Sequence, residues 1–278
     1  MRLLSVAGLS LSATLLLSAC GGGADKAPDA PNAVAPAANV ANMATPVPEA
    51  TGAPAGNKVV SYEEDKIEFR YSWPTQAAAI PELDGWLAGN AESLKKKTVD
   101  GGRNEQASAK KDDYVFNGYS YSEDWHVAAD LPSLLVMQSD GYSYTGGAHG
   151  MPIVTALFWD KAKKQRLATG AIFDLPALTA GIKDRFCEAL DEERGERRGA
   201  PVKADDPDEL PDFVQCVDIA KQTILPVSLR GKALDTLRIV IMPHEAGPYA
   251  EGIYEIDLPV DSAIRKAVKP PYAGAFGG

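Results

Sequence analysis

The sequence predicts an α+β fold in which helices pack on a mostly antiparallel sheet. Three observations predict it. Apolar and polar residues alternate in residues 60–71, and strand-like runs rich in aromatic and branched residues follow between residues 114 and 159. Of the 278 residues, 45% are hydrophobic and 24% are charged, which is typical of a chain that buries a core. Large apolar residues also recur at every fourth position, as in an amphipathic helix, at Leu178, Ile182, Phe186 and Leu190.

Residues 1–19 have the features of a lipoprotein signal peptide. A basic residue precedes an apolar run over residues 3–17, and residues 17–20 (LSAC) resemble a bacterial lipobox. We expect Cys20 to carry a lipid and to anchor the protein in the cell envelope. Gly21 follows the cysteine, which favours the periplasmic face of the outer membrane. The alternative is an ordinary secretory signal.

Residues 20–57 are predicted to form a disordered tether. The segment is rich in alanine and proline and has few side chains large enough to bury. At about 3.1 Å per residue, an extended proline-rich segment of this length would reach roughly 110 Å. The single α+β domain predicted for residues 58–278 would then have access to the cell wall.

The first part of this domain is predicted to be two strands and a helix. The strands lie on either side of an acidic kink and end near Trp73. The helix begins at Pro81, because proline suits the first turn, and Gly101 and Gly102 are expected to stop it. A run of three lysines over residues 95–97 is interpreted as a solvated helix face.

An antiparallel meander follows. Its predicted strands are residues 114–127, 134–144 and 153–159, and a charged hairpin over residues 160–165 precedes Leu167.

The last third is predicted to contain two helices and two closing strands. The first helix covers residues 178–190, and residues 194–209 form an exposed, charged loop. The closing strands are residues 237–242 and 253–258, joined by residues 243–252. The second helix is indicated by helical spacing at Phe213, Val217, Ala220 and Ile224.

Cys187 and Cys216 are the two cysteines that remain after Cys20. An exported chain meets an oxidising compartment, which favours one disulfide between these cysteines over two buried free thiols. We expect this disulfide to join the two predicted helices and to be structural.

The loop over residues 143–150 (SYTGGAHG) lies between two predicted strands. Glycine accepts a positive φ without steric cost, so Gly146 and Gly147 predict a tight reversal that presents His149. The loop is either a plain hairpin with a surface histidine or part of a binding site.

A second distinctive string, residues 248–252 (PYAEG), follows about a hundred residues after the string at residues 144–149 (YTGGAH). In this order the two strings resemble a family of bacterial cell-envelope domains. Its members include the lysozyme-binding extracellular part of the anti-sigma factor RsiV and the non-catalytic N-terminal domain of the peptidoglycan deacetylase PdaC. The resemblance covers residues 59–267.

The resemblance implies a candidate binding loop and departs from the family at one position. The family commonly has tyrosine where this chain has His244, which puts a transferred role there in doubt. Residues 243–252 are otherwise interpreted as a strand connection in which a tyrosine packs on the sheet edge. The candidate binding residues are Tyr144, Thr145, Gly146, Gly147, His149, Tyr249 and Gly252.

Several functions lack their usual sequence signals. The three histidines, His126, His149 and His244, lack the close spacing of zinc motifs, so no metal site is predicted. No catalytic residue or cofactor is predicted either, since the chain has no nucleophile elbow and no phosphate loop. A net charge of -10 argues against a nucleic-acid partner and favours a basic one.

The leading hypothesis is a non-enzymatic, lipid-anchored envelope module that binds lysozyme or another wall-directed protein. An anti-sigma role is not expected, because it requires a cytoplasmic domain and a spanning helix. The alternatives are peptidoglycan binding, an envelope hydrolase that pairs His149 with a carboxylate, and a purely structural lipoprotein.

Overall fold

The computed structural model describes residues 56–203, 205 and 209–277. The predicted signal peptide, the lipidation site Cys20 and nearly all of the predicted tether lie outside the described residues. Within the described part, the chain has the predicted α+β fold, with one six-stranded sheet, one three-stranded sheet and helices packed on them.

The fold begins with a hairpin. Strand β1 (Lys58–Glu64) pairs antiparallel with β2 (Ile67–Trp73). Asp65 and Lys66 form the turn and both have a positive φ, which matches the right-handed twist of the flanking strands. The acidic kink expected from the sequence is this turn.

Two helices follow, α1 (Thr75–Ala78) and α2 (Pro81–Asp112). The prediction that Gly101 and Gly102 end the helix is wrong, because α2 continues for another ten residues beyond them. The glycines allow close packing on the sheet instead. A Cβ at Gly102 would lie 2.8 Å from Ile67 Cγ1, and one at Gly101 would lie 2.6 Å from the hydroxyl of Tyr119.

Helix α2 carries the chain across the sheet, so β3 (Tyr119–Asp130) pairs parallel to β2. The meander then continues antiparallel through β4 (Leu134–Tyr144), β5 (Met151–Asp160) and β6 (Gln165–Leu167), as predicted. The predicted start of β3 at residue 114 is wrong. Residues 114–118 follow the left-handed end of α2 at Asp113 and pair with no strand before Tyr119.

A short helix α3 (Thr169–Ile172) leads into α4 (Leu175–Arg198). The four apolar residues that predict α4 are all buried. The predicted exposed loop over residues 194–209 is wrong in its first part, because Arg194 belongs to α4 and its side chain is fully buried. Backbone carbonyls of two distant segments accept its hydrogen bonds, which no local pattern shows.

The second predicted helix is also wrong. Only a single turn, α5 (Pro211–Val214), forms there, and Cys216 lies in the extended segment after it. The carboxylate of Asp218 then accepts from Ala220 N and caps a 3-10 turn. Residues beyond the turn form strand β7 (Thr223–Val227), because they pair with the next strand and bury four side chains.

The chain ends with β8 (Thr236–Ile241), β9 (Tyr254–Pro259) and α6 (Ser262–Ala267). These strands agree with the two predicted closing strands, and with β7 they form the antiparallel three-stranded sheet.

Two hydrophobic cores stabilise this arrangement. One lies between α2 and the first sheet and includes Phe69, Tyr71 and Leu87. The larger one joins the two sheets and α4, and includes Phe158 and Phe186. Because α4 packs against β9 and α6, its C-terminal turns lie beside the connection between β8 and β9.

Candidate binding site

The Gly-Gly loop joins β4 to β5. Gly146 has a φ of +91° and Gly147 a φ of +94°, so the backbone conformation that the sequence predicts is present. The hydroxyl of Tyr144 donates to Gly147 O at 3.0 Å and closes the loop. Thr145 and His149 are exposed on it.

The position of His149 is set by its neighbour Gly150. The ring nitrogen Nδ1 of His149 lies 3.1 Å from Gly150 O. Since a carbonyl oxygen only accepts, Nδ1 carries the proton and, in the neutral ring, Nε2 keeps a free lone pair. The amide of Gly150 donates to the hydroxyl of Tyr142 at 2.8 Å, which ties the loop to strand β4.

Tyr249 lies in the connection between β8 and β9, residues 242–253, which we call the second loop. Tyr249 contacts the Gly-Gly loop. Its hydroxyl donates to Gly150 O at 2.9 Å. Its ring stacks on His149, with centroids 3.8 Å apart and an angle of 22° between the planes. His244 lies beside both rings, with centroids 6.2 Å from His149 and 5.6 Å from Tyr249. We call His149, His244 and Tyr249 the ring cluster.

The hydroxyl of Tyr249 keeps its proton and can therefore donate a hydrogen bond. Burial and a hydrogen bond with Tyr142 raise the pKa of Tyr249 above its ordinary value. The phenol is therefore protonated at neutral pH and holds the two loops together as a neutral group.

Arg194 of helix α4 holds the second loop through hydrogen bonds to its backbone. Its Nε donates to Ala246 O at 2.9 Å, and its Nη2 donates to Gln215 O at 3.0 Å. Asp191, one turn earlier on α4, accepts from Nη1 at 2.9 Å. A single buried guanidinium therefore fixes the connection between β8 and β9 and the segment after α5.

Arg198 and Arg197, in the last turn of α4, hold the end of the same loop. Arg198 donates to both carboxylate oxygens of Glu251, at 2.7 and 3.0 Å. Arg197 donates to Ile253 O at 2.9 Å and lies over the ring of Tyr254, 3.9 Å from its centroid. The ring cluster therefore rests on a rigid support, as binding loops commonly do.

A cleft of about 380 Å³ opens beside His244. Three carboxylates line it, from Asp212, Asp218 and Glu245, against one ammonium group, from Lys221. The lining also includes Cys216, which forms the predicted disulfide with Cys187. This disulfide ties α4 to the extended segment after α5, and not to a second helix.

The candidate residues are not all alike in the structure. Tyr144 contacts Gly147 within the Gly-Gly loop, and His149 contacts Tyr249 across the two loops. Thr145 makes no side-chain hydrogen bond within the described residues. Gly252 ends the second loop with a φ of +74° and a ψ of -153°, a combination that is essentially restricted to glycine. Tyr249 packs on His149 of the Gly-Gly loop and also lies beside Tyr142, near the end of strand β4.

Sequence reasoning missed several residues of the site. Tyr142 shares a strand face with Tyr144, so the two-residue period of β4 was a signal that could have found it. Arg194 and Arg198 gave no such signal, because their partners are backbone or side-chain groups about 20 to 50 residues away.

Over the described ranges, no group of three or more histidine, cysteine or acidic residues is arranged to hold a metal ion. In the same part of the chain, no helix has both the length and the apolar composition needed to cross a membrane.

Residues 60–152 match the model of the family described as Deacetylase PdaC. The match runs from β1 to the start of β5 and includes the Gly-Gly loop. The resemblance to the PdaC family that the sequence indicates is thus confirmed over these residues, which include the first of the two strings (residues 144–149) and not the second. No curated protein matches the chain.

Two crystal structures are similar to this chain, both of proteins described as members of the DUF3298 family. The one from Pseudomonas aeruginosa PAO1 is 15% identical, with 81% of this chain and 98% of that one covered and a TM-score of 0.43. The one from Bacteroides fragilis is 16% identical, with 79% and 96% covered and a TM-score of 0.49.

Proposed function

We propose that this chain is a non-enzymatic, lipid-anchored module of the cell envelope that binds a basic, wall-directed protein through the ring cluster. The stacked contact between His149 and Tyr249 carries the proposal, because it joins the two strings on which the family resemblance rests. Lysozyme is the partner that the resemblance suggests. Cys20 and the tether would place the site within reach of the wall.

The ring cluster has the properties of a binding anchor. Aromatic side chains held on a rigid support supply contact area at low entropic cost, and such residues dominate many interfaces. His149 and His244 are exposed, and Tyr249 is half-buried.

The negative charge of the chain supports the proposal that the partner is basic. The net charge of the chain is -10, and carboxylates outnumber basic groups in the cleft beside His244. Opposite charges on a partner would speed the encounter and orient it.

The hydrolase alternative has less support. A general base needs a proton acceptor, which the free Nε2 of His149 supplies, and usually a carboxylate that orients the ring. In the part of the chain that the structure describes, a backbone carbonyl orients His149 and no carboxylate is hydrogen-bonded to it.

A retention assay tests the proposal. The full mature chain carrying Cys20→Ser, which blocks lipidation, is passed over immobilised lysozyme and over an immobilised neutral protein of similar size. We expect retention on lysozyme only, and much weaker retention of Tyr249→Ala. Leu229→Ala is the matched control, because Leu229 is exposed at the opposite end of β8.

The same samples separate the alternatives. Incubation with purified peptidoglycan should give neither co-sedimentation nor released fragments. Co-sedimentation without retention on lysozyme would indicate a wall-binding module, and fragments whose release is abolished by His149→Ala would indicate a hydrolase.

A further inference from the structure

The face of the six-stranded sheet opposite α2 is partly covered by the second sheet over β3 to β5, and its part on β1 and β2 is exposed. Side chains alternate between the two faces of a strand. Since Phe69 and Tyr71 are buried beneath α2, Glu68 and Arg70 point to the opposite face. There Glu68 is exposed, and so is Glu63 on the neighbouring strand.

Like charges lie directly opposite each other on this face. Glu63 on β1 pairs with Glu68 on β2, and Asp124 on β3 pairs with Asp140 on β4. Such pairs destabilise a sheet. The repulsion within such a pair is relieved only where a positively charged group, from the protein or from a ligand, lies beside it.

The four carboxylates differ in their partners. Arg70 contacts Asp124 at 3.1 Å, and His126 contacts Asp140 at 3.3 Å. Glu63 and Glu68 have no ion pair among the described residues. We call Glu63, Glu68, Asp124 and Asp140 the acidic sheet face. It crosses four strands, about 14 Å at the usual strand spacing, and Asp124 lies four residues, or about 13 Å, further along β3 than Ser120, the residue opposite Glu68.

The acidic sheet face is continuous with the ring cluster. Asp140 and Tyr142 are two residues apart on the same face of β4, or about 7 Å. The hydroxyl of Tyr142 holds Gly150, whose carbonyl accepts from both His149 and Tyr249. A protein seated on the ring cluster would therefore lie next to the carboxylates.

The ring cluster is too small to form a stable protein interface by itself. A stable interface buries about 800 Å² on each partner. Large aromatic side chains bury about 150 to 250 Å² each, and the rings of the cluster already cover part of one another. The ring cluster alone therefore falls short of a full interface.

We propose that the acidic sheet face is the second half of the binding surface and receives lysine and arginine side chains of the basic protein partner. This inference rests on the proposed function. It adds a footprint on β1 to β4 that neither sequence string indicates.

The double variant Glu63→Gln, Glu68→Gln tests the footprint. It removes two charges and keeps the shape of the side chains, and the fold should not lose stability, because a repulsive pair is removed. The matched control is Asp184→Asn, Glu188→Gln, which removes two charges from exposed positions of α4. Each is made in the full mature chain carrying Cys20→Ser.

Binding of lysozyme is measured by surface plasmon resonance at about 20 and 150 mM salt. We expect the sheet variant to bind about 3- to 10-fold more weakly at low salt and to show a smaller salt dependence, with most of the loss in the association rate. The α4 variant should change affinity by less than about 2-fold. Equal behaviour of the two variants, with Tyr249→Ala still impaired, would overturn the footprint and leave the proposed function intact.

A second probe covers the case in which lysozyme does not bind. Amide resonances are then followed during titration with a short peptide rich in lysine and arginine. Shifts concentrated on β1 to β4 would support the acidic sheet face and reject lysozyme as the partner. Shifts no larger there than on α4 would overturn the footprint as well.

Discussion

Arg198 and Glu251 form a two-bonded ion pair between the last turn of α4 and the loop that carries Tyr249, with distances of 2.7 and 3.0 Å. Both side chains are largely buried, 17% and 13% exposed. The hydroxyl of Tyr254 also donates to Glu251. The pair therefore couples the position of this loop to the charge on one carboxyl group.

This coupling predicts that the contribution of Glu251 to the free energy of unfolding depends on pH. Burial alone would raise the pKa of Glu251, but the hydrogen bonds from Arg198 and Tyr254 outweigh it and hold this pKa below its ordinary value. A lowered folded-state pKa stabilises the fold above the unfolded-state value of about 4.3, and the stabilisation is lost as pH falls through the folded-state pKa. Glu251→Gln should therefore be less stable than the wild type at pH 7, by a margin that shrinks below about pH 4.

Urea unfolding of both proteins between pH 7 and pH 3 measures this margin. A difference in the free energy of unfolding that stays constant over the whole range would show that the charge of Glu251 contributes nothing.

The Gly-Gly loop predicts a backbone penalty at Gly147. Its φ of +94° disfavours residues with a Cβ, and most of all branched ones, although a Cβ there would meet nothing within 4 Å. Gly147→Val should lower the free energy of unfolding by about 1 to 3 kcal/mol. Gly89→Ala in α2 is the control, since its Cβ also meets nothing, and it should raise stability by about 0.5 to 1 kcal/mol. Denaturant unfolding distinguishes the two, and wild-type stability of Gly147→Val would refute the strain.

Replacing Arg194 by lysine is expected to lower the free energy of unfolding strongly, although the change keeps the charge. Lysine keeps the charge but cannot donate to Ala246 O, Gln215 O and Asp191 at once, so buried acceptors lose partners. We expect Arg194→Lys to cost about 2 to 4 kcal/mol of unfolding free energy. Arg265→Lys, at an exposed position, should cost less than about 0.5 kcal/mol. Similar urea midpoints for both variants would contradict the anchoring role.

Removing the disulfide is expected to lower the free energy of unfolding. Cys187 and Cys216 are 29 residues apart, and closing a loop of that length is worth about 3 to 4 kcal/mol on the chain-entropy model. The double variant Cys187→Ser, Cys216→Ser should lose about this much. In the Cys20→Ser background, the unfolded but unreduced protein should take up no alkylating label. Two labels per chain would rule the disulfide out.

The strands were the most predictable part of the fold, because their signal is local. The predicted bounds of β4 match the observed ones, because apolar residues begin the strand at Leu134 and two tyrosines continue it after Asp140 and Gly141 as far as the glycine loop. The register that puts Tyr142 beside Tyr144 follows from the same period. Helix α4 was predictable as well, since its four core residues lie one turn apart.

The errors arose where a distant partner decides the structure. Gly101 and Gly102 have the composition of a helix end, yet Tyr119 and Ile67 need the space that they leave. Ile224 fits a helical period, yet it pairs with Ile239 in a sheet. The candidate site shows the same limit. The sequence named His149 and Tyr249 separately, but their contact depends on Arg194 and Arg198, which hold the second loop in place.

The most direct test of the account is calorimetric titration of lysozyme into the full mature chain carrying Cys20→Ser, at about 20 and 150 mM salt. We expect measurable binding that weakens as salt rises, and a loss of about 1 to 3 kcal/mol of binding free energy in His149→Ala and in Tyr249→Ala. His149→Ala should unfold within about 0.5 kcal/mol of the wild type, because the imidazole is exposed. An absence of binding heat at both salt concentrations, with a folded domain verified by circular dichroism, would contradict the claim that the ring cluster binds lysozyme.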